Sequence, residues 1–462
     1  MRLSGSPYRL AFVLLVTSFG AGFLLLKFAA TLIVDRNDPA AFQTIQDAID
    51  EASVGDDVFV RCGTYVENVF MRDGVSLRGQ SPYCTVIDGN LDGDTVVMPI
   101  ITLPTTLEGF SIRNAEHRPE PGVTGSGILI NGGAPVITGN IVEDNGQLSL
   151  GHGIYFRGFS ASDAPVITRN LIRDNASCCS GGGLLMLSAE AATISTNIFA
   201  GNTAYYGAGL FVYGDDVAIT NNTIADNDAA VAGGVWANTT NGVLANNVVA
   251  FNSAYIDYGG VVWFDGVLQS NDVFGNTPTN WDPISDPGGA NGNKTIDPWF
   301  VDMNDRSFEG FQPRSFSRLI DAGSVTYSEA IDLRGIPRNV DGNADGLGAP
   351  DIGARENEGL TQLIFDGVTF LWDWGLHEPM DFNLYRGDLA MLRQSGIYTQ
   401  DPDAVPGARH FCDTVNVVGD LDDPEPGQAF FYLPVAWGAV EGSLGFHSDL
   451  TERPKTLFCI GP

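Results

Sequence analysis

A charged cluster that recurs along the chain is the best candidate for chemistry in this sequence. Glu143 and Asp144 stand directly before one asparagine, and Arg173 and Asp174 stand directly before another, 30 residues later. A fold that repeats with this period would place all four at one corner of consecutive repeats. Carboxylates beside an arginine can perform acid–base catalysis if a carboxyl pKa is shifted. A solvated, salt-bridged edge is the simpler interpretation, and we favour it.

Aromatic residues form a second set of candidates, for binding sugar rings by stacking. They are Tyr205 with Tyr206, Tyr255 with Tyr258, and Trp236 with Trp263. The two tryptophans fall in corresponding parts of neighbouring repeats, which predicts a platform on the surface. Burial of both in the interior is an equal alternative.

The segment NVDGNADGLGAPDIGA contains oxygen donors with the spacing of a calcium loop. Asp341, Asn343 and Asp345 alternate along it, Gly346 permits a sharp turn, and Asp351 follows. Residue 352 is isoleucine where such loops carry a bidentate glutamate, so an Asx-rich turn without metal is an equal alternative. Calcium is the one cofactor that the sequence indicates.

Six cysteines are present, and an oxidising compartment would favour disulfides among them. Cys62 with Cys84, and Cys412 with Cys459, are the first pairings that we expect. The remaining two, Cys178 and Cys179, are adjacent, and either a strained vicinal bridge or two separate thiols would fit. The sequence contains neither a Cys-x-x-Cys motif nor a nearby pair of histidines, so we expect no zinc site.

The charge balance excludes one class of partner. Asp and Glu number 56 against 24 Lys and Arg, for a net charge of −32. A nucleic-acid-binding protein needs a basic face, so nucleic acid is not an expected partner.

The N-terminus carries an apolar stretch over residues 10–26, preceded by two arginines. Its length lies between that of a signal peptide and that of a membrane anchor. We expect residues 1–30 to be a cleaved export signal, with retention as a single anchor as the alternative. A membrane partner is expected only in the second case, and an extracellular or cell-surface location in both.

The middle of the chain is an internal repeat. Asparagines recur at intervals of 30, 27, 25, 25 and 24 residues, and a second asparagine follows five residues after each. The first asparagines are Asn140, Asn170, Asn197, Asn222, Asn247 and Asn271. Between the blocks lies a glycine pair or Gly-x-Gly, followed by an apolar run: IYF, LLM, LFV, VWA and VVW.

A unit of about 25 residues with several short strands cannot bury its own apolar face, so it must stack on its neighbours. Ile137 and Val142 are predicted to point inward, with equivalents in each following repeat. The asparagine between them is predicted to form a hydrogen-bonded ladder from coil to coil, worth roughly 1 kcal/mol per member.

These repeats resemble those of right-handed parallel β-helix proteins of the pectin-lyase-like superfamily. The resemblance covers residues 31–280 and implies an all-β solenoid with an N-terminal capping helix. Residues 41–53 fit that helix, because Ile45, Ala48 and Ile49 share one face. In the block LEGFSIRN, Phe110 takes the asparagine position.

The period ends near Trp281. Residues 281–358 resemble the closing segment that follows such helices in exported bacterial proteins, and they contain the calcium-loop pattern. Residues 360–462 contain stretches in which apolar and polar residues alternate, and Pro, Gly and Asp separate these stretches. This pattern predicts a small β-sandwich. This region resembles a fibronectin-type-III-like accessory module.

The resemblance implies carbohydrate chemistry but does not supply its residues. Lyases of this superfamily use an Arg or Lys base with calcium, and the hydrolases use clustered aspartates. His152, between two glycines, and the Asp215–Asp216 pair are similar to parts of the hydrolase pattern, but their order is reversed and their partners are absent. His152 also stands where other repeats have Ser126 or Ala208, which favours a turn residue.

The sequence therefore favours an exported β-helix protein that binds an extended polymer, with polysaccharide as the preferred class, and that performs no chemistry of its own. A polysaccharide lyase or uronate epimerase acting at the Glu143/Arg173 corner is the first alternative. A structural adhesive or surface spacer is the second. The sequence does not specify the oligomeric state.

Overall fold

The computed structural model describes residues 29–357, except 119–123, 147–150, 264–265, 284–285, 315–316 and 343–347. Beyond residue 357 it describes six strands and a few isolated residues. The expected export signal or anchor lies almost wholly outside this range. From residue 29 onward, the described chain contains no helix long and apolar enough to span a bilayer.

The elements in chain order are as follows. Strands are β1 (Thr31–Val34), β2 (Asp57–Val60), β3 (Gly63–Val66), β4 (Val69–Phe70), β5 (Ser76–Gly79), β6 (Thr85–Asp88), β7 (Val96–Met98), β8 (Thr106–Glu108), β9 (Ser111–Arg113), β10 (Ser126–Ile130), β11 (Val136–Thr138), β12 (Ile141–Glu143), β13 (His152–Arg157), β14 (Val166–Thr168), β15 (Leu171–Arg173), β16 (Leu184–Ala189), β17 (Thr193–Ser195), β18 (Ile198–Ala200), β19 (Thr203–Tyr206), β20 (Leu210–Gly214), β21 (Ala218–Thr220), β22 (Thr223–Ala225), β23 (Asp228–Val231), β24 (Val235–Thr239), β25 (Val243–Ala245), β26 (Val248–Ala250), β27 (Ser253–Asp257), β28 (Val261–Trp263), β29 (Val267–Gln269), β30 (Asp272–Phe274), β31 (Gln362–Phe365), β32 (Thr369–Asp373), β33 (Phe382–Asp388), β34 (Arg409–Thr414), β35 (Val417–Gly419) and β36 (Phe430–Ala436). The helices are α1 (Ile45–Glu51) and two short 3-10 turns, Ala290–Gly292 and Val325–Tyr327.

The strands β1 to β30 form parallel sheets that run along a solenoid. Sheet I has the order β1-β2-β5-β8-β11-β14-β17-β21-β25-β29, and sheet II has the order β3-β6-β9-β12-β15-β18-β22-β26-β30. Sheet III has the order β28-β24-β20-β16-β13-β10-β7-β4, and the short sheet IV has the order β19-β23-β27. Each coil passes through sheets I, II and III in turn, so each strand pairs with its equivalent one coil away. This confirms the all-β, right-handed parallel β-helix.

The six predicted asparagines stand in a single file between sheets I and II. From Asn170 onward, the side-chain oxygen of each accepts the backbone and side-chain N–H groups of the asparagine one coil earlier, at 2.9–3.1 Å. The second asparagines form a parallel ladder between sheet II and the next turn, at 2.9–3.2 Å. Asn293 and Asn280 extend the two ladders by one member each. The predicted ladder is confirmed.

The interior of the coil is the apolar column that the repeat predicts. Ile137 and Val142 are fully buried, and so are their equivalents in the following coils, except that Leu268 in the last coil is partly buried. Phe110 is also buried, and its N–H donates to the Asn140 side chain at 3.1 Å, so it does occupy the ladder position.

The capping helix is present but shorter than expected. It begins after Thr44, whose hydroxyl accepts the Asp47 N–H at 3.2 Å, and it ends before Ala52, whose backbone is extended. Ile45, Ala48 and Ile49 are buried against the first coil, as predicted. Residues 41–43 do not form a first helical turn, because Phe42 is in a parallel β-bridge with Val34 and its N–H donates to the Ile33 carbonyl oxygen at 3.1 Å.

One predicted disulfide is confirmed. Cys62 and Cys84 are bonded, with their Cα atoms 4.9 Å apart, and they join the first two coils. The proposed Cys412–Cys459 pair lies outside the residues whose side chains the structure describes.

A second apolar core lies outside the solenoid, where the closing segment covers sheet II. The outward side chains Ile141, Leu171, Ile198 and Val248 pack against a set of closing-segment residues. That set includes Phe300, Phe308, Phe311, Leu319, Ile352 and Ala354. Residues 298–356 therefore protect one lateral face of the helix.

Asp272 is the last member of the same outward row of sheet II, next to Val248. Its side chain is fully buried and accepts the Ile296 N–H at 3.0 Å. Its other carboxylate oxygen has no hydrogen-bond partner among the residues that the structure describes. Burial raises the pKa of Asp272 to about 7.

The six strands β31 to β36 form two antiparallel sheets of three strands, ordered β31-β32-β35 and β34-β33-β36. The predicted β-sandwich and its resemblance to a fibronectin-type-III module remain predictions.

Substituting one ladder residue tests how far the asparagines stabilise the solenoid. Asn222→Ala would remove the acceptor of the Asn197 backbone N–H, and it would take one hydrogen bond each from the Asn197 side-chain amide, the Asn247 oxygen and the Ile194 carbonyl. We expect the free energy of unfolding to fall by about 2–4 kcal/mol, measured by urea denaturation. Asn238→Ala, on the outer face of β24, is the control and should change it by less than about 0.5 kcal/mol. Equal effects would contradict the ladder's role.

Asp272 predicts a dependence of stability on pH. Because the folded-state pKa is about 7 and the ordinary value is 3.8, the unfolded chain loses this proton first. Stability should therefore fall as the pH rises from about 4 to about 7, and Asp272→Asn should remove that component, of at most about 4 kcal/mol. Glu356, with a pKa also raised to about 7 by burial, titrates in the same window. The measurement is therefore the free energy of unfolding of the native protein and of Asp272→Asn, each determined from about pH 4 to about pH 7. If the difference between the two proteins does not change with pH, the prediction is wrong.

Candidate functional site

An unbroken row of apolar side chains runs along the outer face of sheet III, one from each of its eight strands. In chain order they are Phe70, Val97, Leu129, Tyr155, Leu185, Phe211, Trp236 and Val262. Their neighbours along the strands, such as Ile154 and Phe156, are fully buried inside the coil, so the alternation of a strand turns this row outward. We call it the outer column; at the usual strand spacing it is roughly 34 Å long.

The centre of the outer column is a stacked aromatic pair. The rings of Phe211 and Trp236 lie 4.1 Å apart between centroids and are parallel to within 3°. Register fixes this geometry, since Phe211 on β20 pairs directly with Trp236 on β24. Both side chains are half-buried, so the pair keeps part of its surface open to a ligand.

Sheet IV places exposed tyrosines beside this pair. Tyr205 and Tyr206 on β19 pack edge to face, with ring centroids 4.7 Å apart, and Tyr255 on β27 is 73% exposed. Gly207, at φ +58°, follows Tyr206 directly and lies so close to Trp236 that a Cβ there would stand 3.0 Å from the tryptophan Cβ. The structure thus brings the predicted Tyr205, Tyr206 and Trp236 into one region.

A cavity of about 410 Å³ opens beside the outer column. It is lined by Thr124, His152, Tyr155, Cys179, Ser180, Leu185, Leu187 and Phe211. None of these lining residues is Asp, Glu, Lys or Arg. The cavity therefore suits an uncharged ligand with both apolar faces and hydroxyl groups.

His152 is the first residue of β13 and pairs with Ser126, as the repeat alignment predicts. It is buried, its Nδ1 lies 2.9 Å from the Gly181 carbonyl oxygen, and burial lowers its pKa to about 4. It is therefore neutral at pH 7 and is held as a strand residue. Asp215 and Asp216 follow β20 at the opposite end of the sheet III strands, so the three do not form one site.

The two tryptophans predicted to form a platform are not aligned. Trp236 pairs with Val262, whereas Trp263 pairs with Ala237. Among the described side chains, Phe211 is the ring that stacks on Trp236, and the side chain of Trp263 lies outside them. Phe211, Tyr155 and Leu185 were not among the predicted site residues. Their signal in the sequence is the position itself, since the middle residue of each apolar triplet after the glycines belongs to the outer column.

The predicted charged corner is present, and ion pairs occupy it. Glu143 and Arg173 are in register on β12 and β15, with the Arg173 Nη2 and a Glu143 oxygen 2.7 Å apart. Arg173 also donates to the carbonyl oxygen of Arg306 at 2.9 Å. Arg306, in the closing segment, forms ion pairs with both Asp174 and Asp226. These contacts fasten the closing segment to sheet II.

Asp144 is the remaining member of this corner. Its pKa is raised, first by partial burial and then by the charges of Glu143 and Asp174. The Arg173 side chain is turned to Glu143 and to the closing segment, so the corner has a structural explanation that needs no catalysis.

The calcium hypothesis falls mostly outside the described residues, which do not include Asn343 and Asp345. Asp351 is buried, and its two carboxylate oxygens accept the N–H groups of Asp321 and Asn357, at 2.8 and 2.6 Å. Burial raises its pKa, and the nearby Glu356 raises it further. Within the described chain no group of three or more His, Cys, Asp or Glu side chains is placed to hold a metal ion. Calcium at Asp341, Asn343, Asp345 and Asp351 remains a prediction.

Cys178 and Cys179 are both exposed, and their sulfur atoms are 2.7 Å apart as thiols. The pKa of Cys178 is raised to about 11, because its thiol is in hydrogen-bonding contact with the Cys179 sulfur and is partly desolvated.

Comparison with known proteins agrees with this fold. Residues 123–290 match a family model described as "Right handed beta helix region". No curated protein matches the chain. Among solved structures, pectate lyase Pel9A is 14% identical, over 71% of this chain and 96% of that chain, with a TM-score of 0.35.

Two further structures are similar at the same level. The Dettilon tailspike protein (gp208) is 16% identical, over 58% of this chain and 57% of that chain, with a TM-score of 0.30. Pectin methylesterase PemA from Erwinia chrysanthemi is 13% identical, over 58% of this chain and 77% of that chain, with a TM-score of 0.24. The strand pairing and the family match establish the fold.

If the charged corner has a structural role, the Arg306 ion pairs hold the closing segment against sheet II. Arg306→Ala should lower the free energy of unfolding by about 1 kcal/mol, a modest value because its ion pairs are partly exposed. It should also speed limited proteolysis between residues 298 and 311. Arg318→Ala, an exposed arginine of the same segment, should do neither. An unchanged cleavage rate in Arg306→Ala would contradict this role.

Proposed function

We propose that this right-handed parallel β-helix protein binds an extended polysaccharide along the outer column of sheet III and performs no chemistry of its own there. The stacked Phe211–Trp236 pair, set within a continuous apolar row, is the observation that carries the proposal. Pyranose rings present apolar faces, and aromatic side chains with polar neighbours are the usual surfaces on which such faces stack.

The shape of the column favours a polymer over a small sugar. Each coil contributes one side chain to it, and all but Leu129, Leu185 and Val262 are at least partly exposed. Contacts are therefore available at multiples of the strand spacing of about 4.8 Å along the solenoid axis. A repeating ligand that lies parallel to this axis can meet several equivalent positions at once. The tyrosines of sheet IV would then flank the bound polysaccharide on one side.

The charge of the protein favours a neutral polysaccharide. The cavity beside the column is lined by uncharged residues, and a net charge of −32 repels polyanions at long range. We further place the protein outside the cell or at its surface, since the Cys62–Cys84 disulfide is of the kind that persists in oxidising compartments.

Affinity electrophoresis of the full chain through gels that contain neutral polysaccharides tests this proposal. We expect retardation by at least one glucan, mannan or galactan. Trp236→Ala should weaken the apparent affinity about tenfold or more, equivalent to about 1.4 kcal/mol, because it removes half of the stacked pair. Tyr255→Ala should weaken it less.

Tyr83→Ala is the matched control, since Tyr83 is 69% exposed but packs beside Phe308 on the sheet II side. It should leave retardation unchanged, and circular dichroism should confirm that each variant is folded. Equal loss in Tyr83→Ala and Trp236→Ala, or no retardation by any neutral polymer, would refute the proposed site.

The same samples separate binding from the two alternatives. A lyase or epimerase would shorten or epimerise a uronate polymer, and Arg173→Ala would abolish this activity. A spacer would neither bind nor alter any polymer. Under our proposal the polymer is retained and its size is unchanged.

A further inference from the structure

The adjacent cysteines at the rim of the cavity are chemically distinct from the rest of the site. Both side chains are exposed, and their sulfur atoms face each other at 2.7 Å. Cys179 also contributes to the cavity wall. A small molecule in solution can therefore reach the pair without any part of the fold opening.

The backbone around the pair is held in place by the next coil. The Cys179 carbonyl oxygen accepts the N–H groups of both Tyr205 and Tyr206, at 2.9 and 2.8 Å. On either side, the Ser177 N–H donates to the Thr203 carbonyl oxygen and the Gly181 N–H donates to the Tyr206 carbonyl oxygen, each at 2.9 Å. The backbone of the two residues is therefore fixed, and only side-chain rotation changes the distance between the thiols.

The two cysteine pairs of the solenoid differ in the constraint on their backbones. In Cys62–Cys84 the Cα atoms are 4.9 Å apart, within the usual range for a disulfide. Adjacent residues have Cα atoms only about 3.8 Å apart, which is below that range, so a bond between Cys178 and Cys179 would be strained. Strained, exposed disulfides are reduced more readily than structural ones.

We propose that Cys178 and Cys179 form a reversible redox site, which closes to a vicinal disulfide by exchange with a low-molecular-weight disulfide and reopens with the corresponding thiol. This modification site lies beside the proposed sugar-binding surface, but the inference does not depend on that function.

The exchange balances without any other reactant. One cysteine, as its thiolate, attacks a sulfur of the reagent and releases one reagent thiol. The other cysteine then attacks the mixed disulfide, which forms the Cys178–Cys179 bond and releases the second reagent thiol. Two electrons pass from the protein to the reagent, and the two cysteine protons end on the released thiols.

Ring closure should prevail over the mixed disulfide. The second thiol is held next to the first, so its effective concentration far exceeds that of any thiol in solution. The mixed disulfide is then short-lived, and the closed pair is the product that accumulates.

Mass spectrometry of the full-length protein tests this. The protein is treated with a mild excess of reduced glutathione, then with oxidised glutathione, blocked with N-ethylmaleimide and digested. The peptide that contains residues 178 and 179 should lose two hydrogens and carry neither maleimide nor glutathione. Renewed treatment with reduced glutathione should restore two maleimide additions, while the Cys62–Cys84 peptides stay joined.

Single-cysteine variants supply the control. Cys178→Ser and Cys179→Ser each lack the resolving thiol, so each should accumulate one stable glutathione adduct on the remaining cysteine. The proposal is overturned if the native pair accumulates glutathione adducts like the variants. It is equally overturned if the closed pair resists reduction to the same extent as Cys62–Cys84.

Discussion

The hydrogen bond from one asparagine to its equivalent in the next coil is the constraint on which the rest of the structure depends. Each side-chain oxygen receives two N–H groups from the coil before it, and each side-chain nitrogen reaches the following oxygen and a strand carbonyl of an earlier coil. The bends between sheets are thereby superimposed, coil on coil. This superposition keeps equivalent strands in register, and the register of β20 and β24 then brings Phe211 against Trp236.

The fold could be predicted from the sequence because its signals are local and repeated. The asparagine intervals gave the stacking, and the apolar residues around them gave the interior, since both must recur once per coil. Asn280 and Asn293 escaped notice, because the final coils place these ladder members 4 and 22 residues after their predecessors instead of about 25. The capping helix was predicted in the right place, but it begins at Ile45, after the Thr44 N-cap, and not at residue 41.

The site was predictable only in part. Trp236, Tyr205 and Tyr206 were identified as surface aromatics, but the pairing of Trp236 with Trp263 ignored the two-residue alternation of a strand. One is the second letter of its apolar triplet and the other is the third. Arg306 could not be foreseen, because its contacts with Asp174 and Asp226 span 132 and 80 residues and follow no period.

The outer column also limits how such a protein can change during evolution. A new coil must bring both of its asparagines and an apolar residue at the middle of its triplet, or it would interrupt two ladders and the row together. Length can therefore be gained or lost only in whole coils, each of which adds or removes one step of about 4.8 Å. The number of coils therefore fixes the length of the outer column, in steps of one strand spacing.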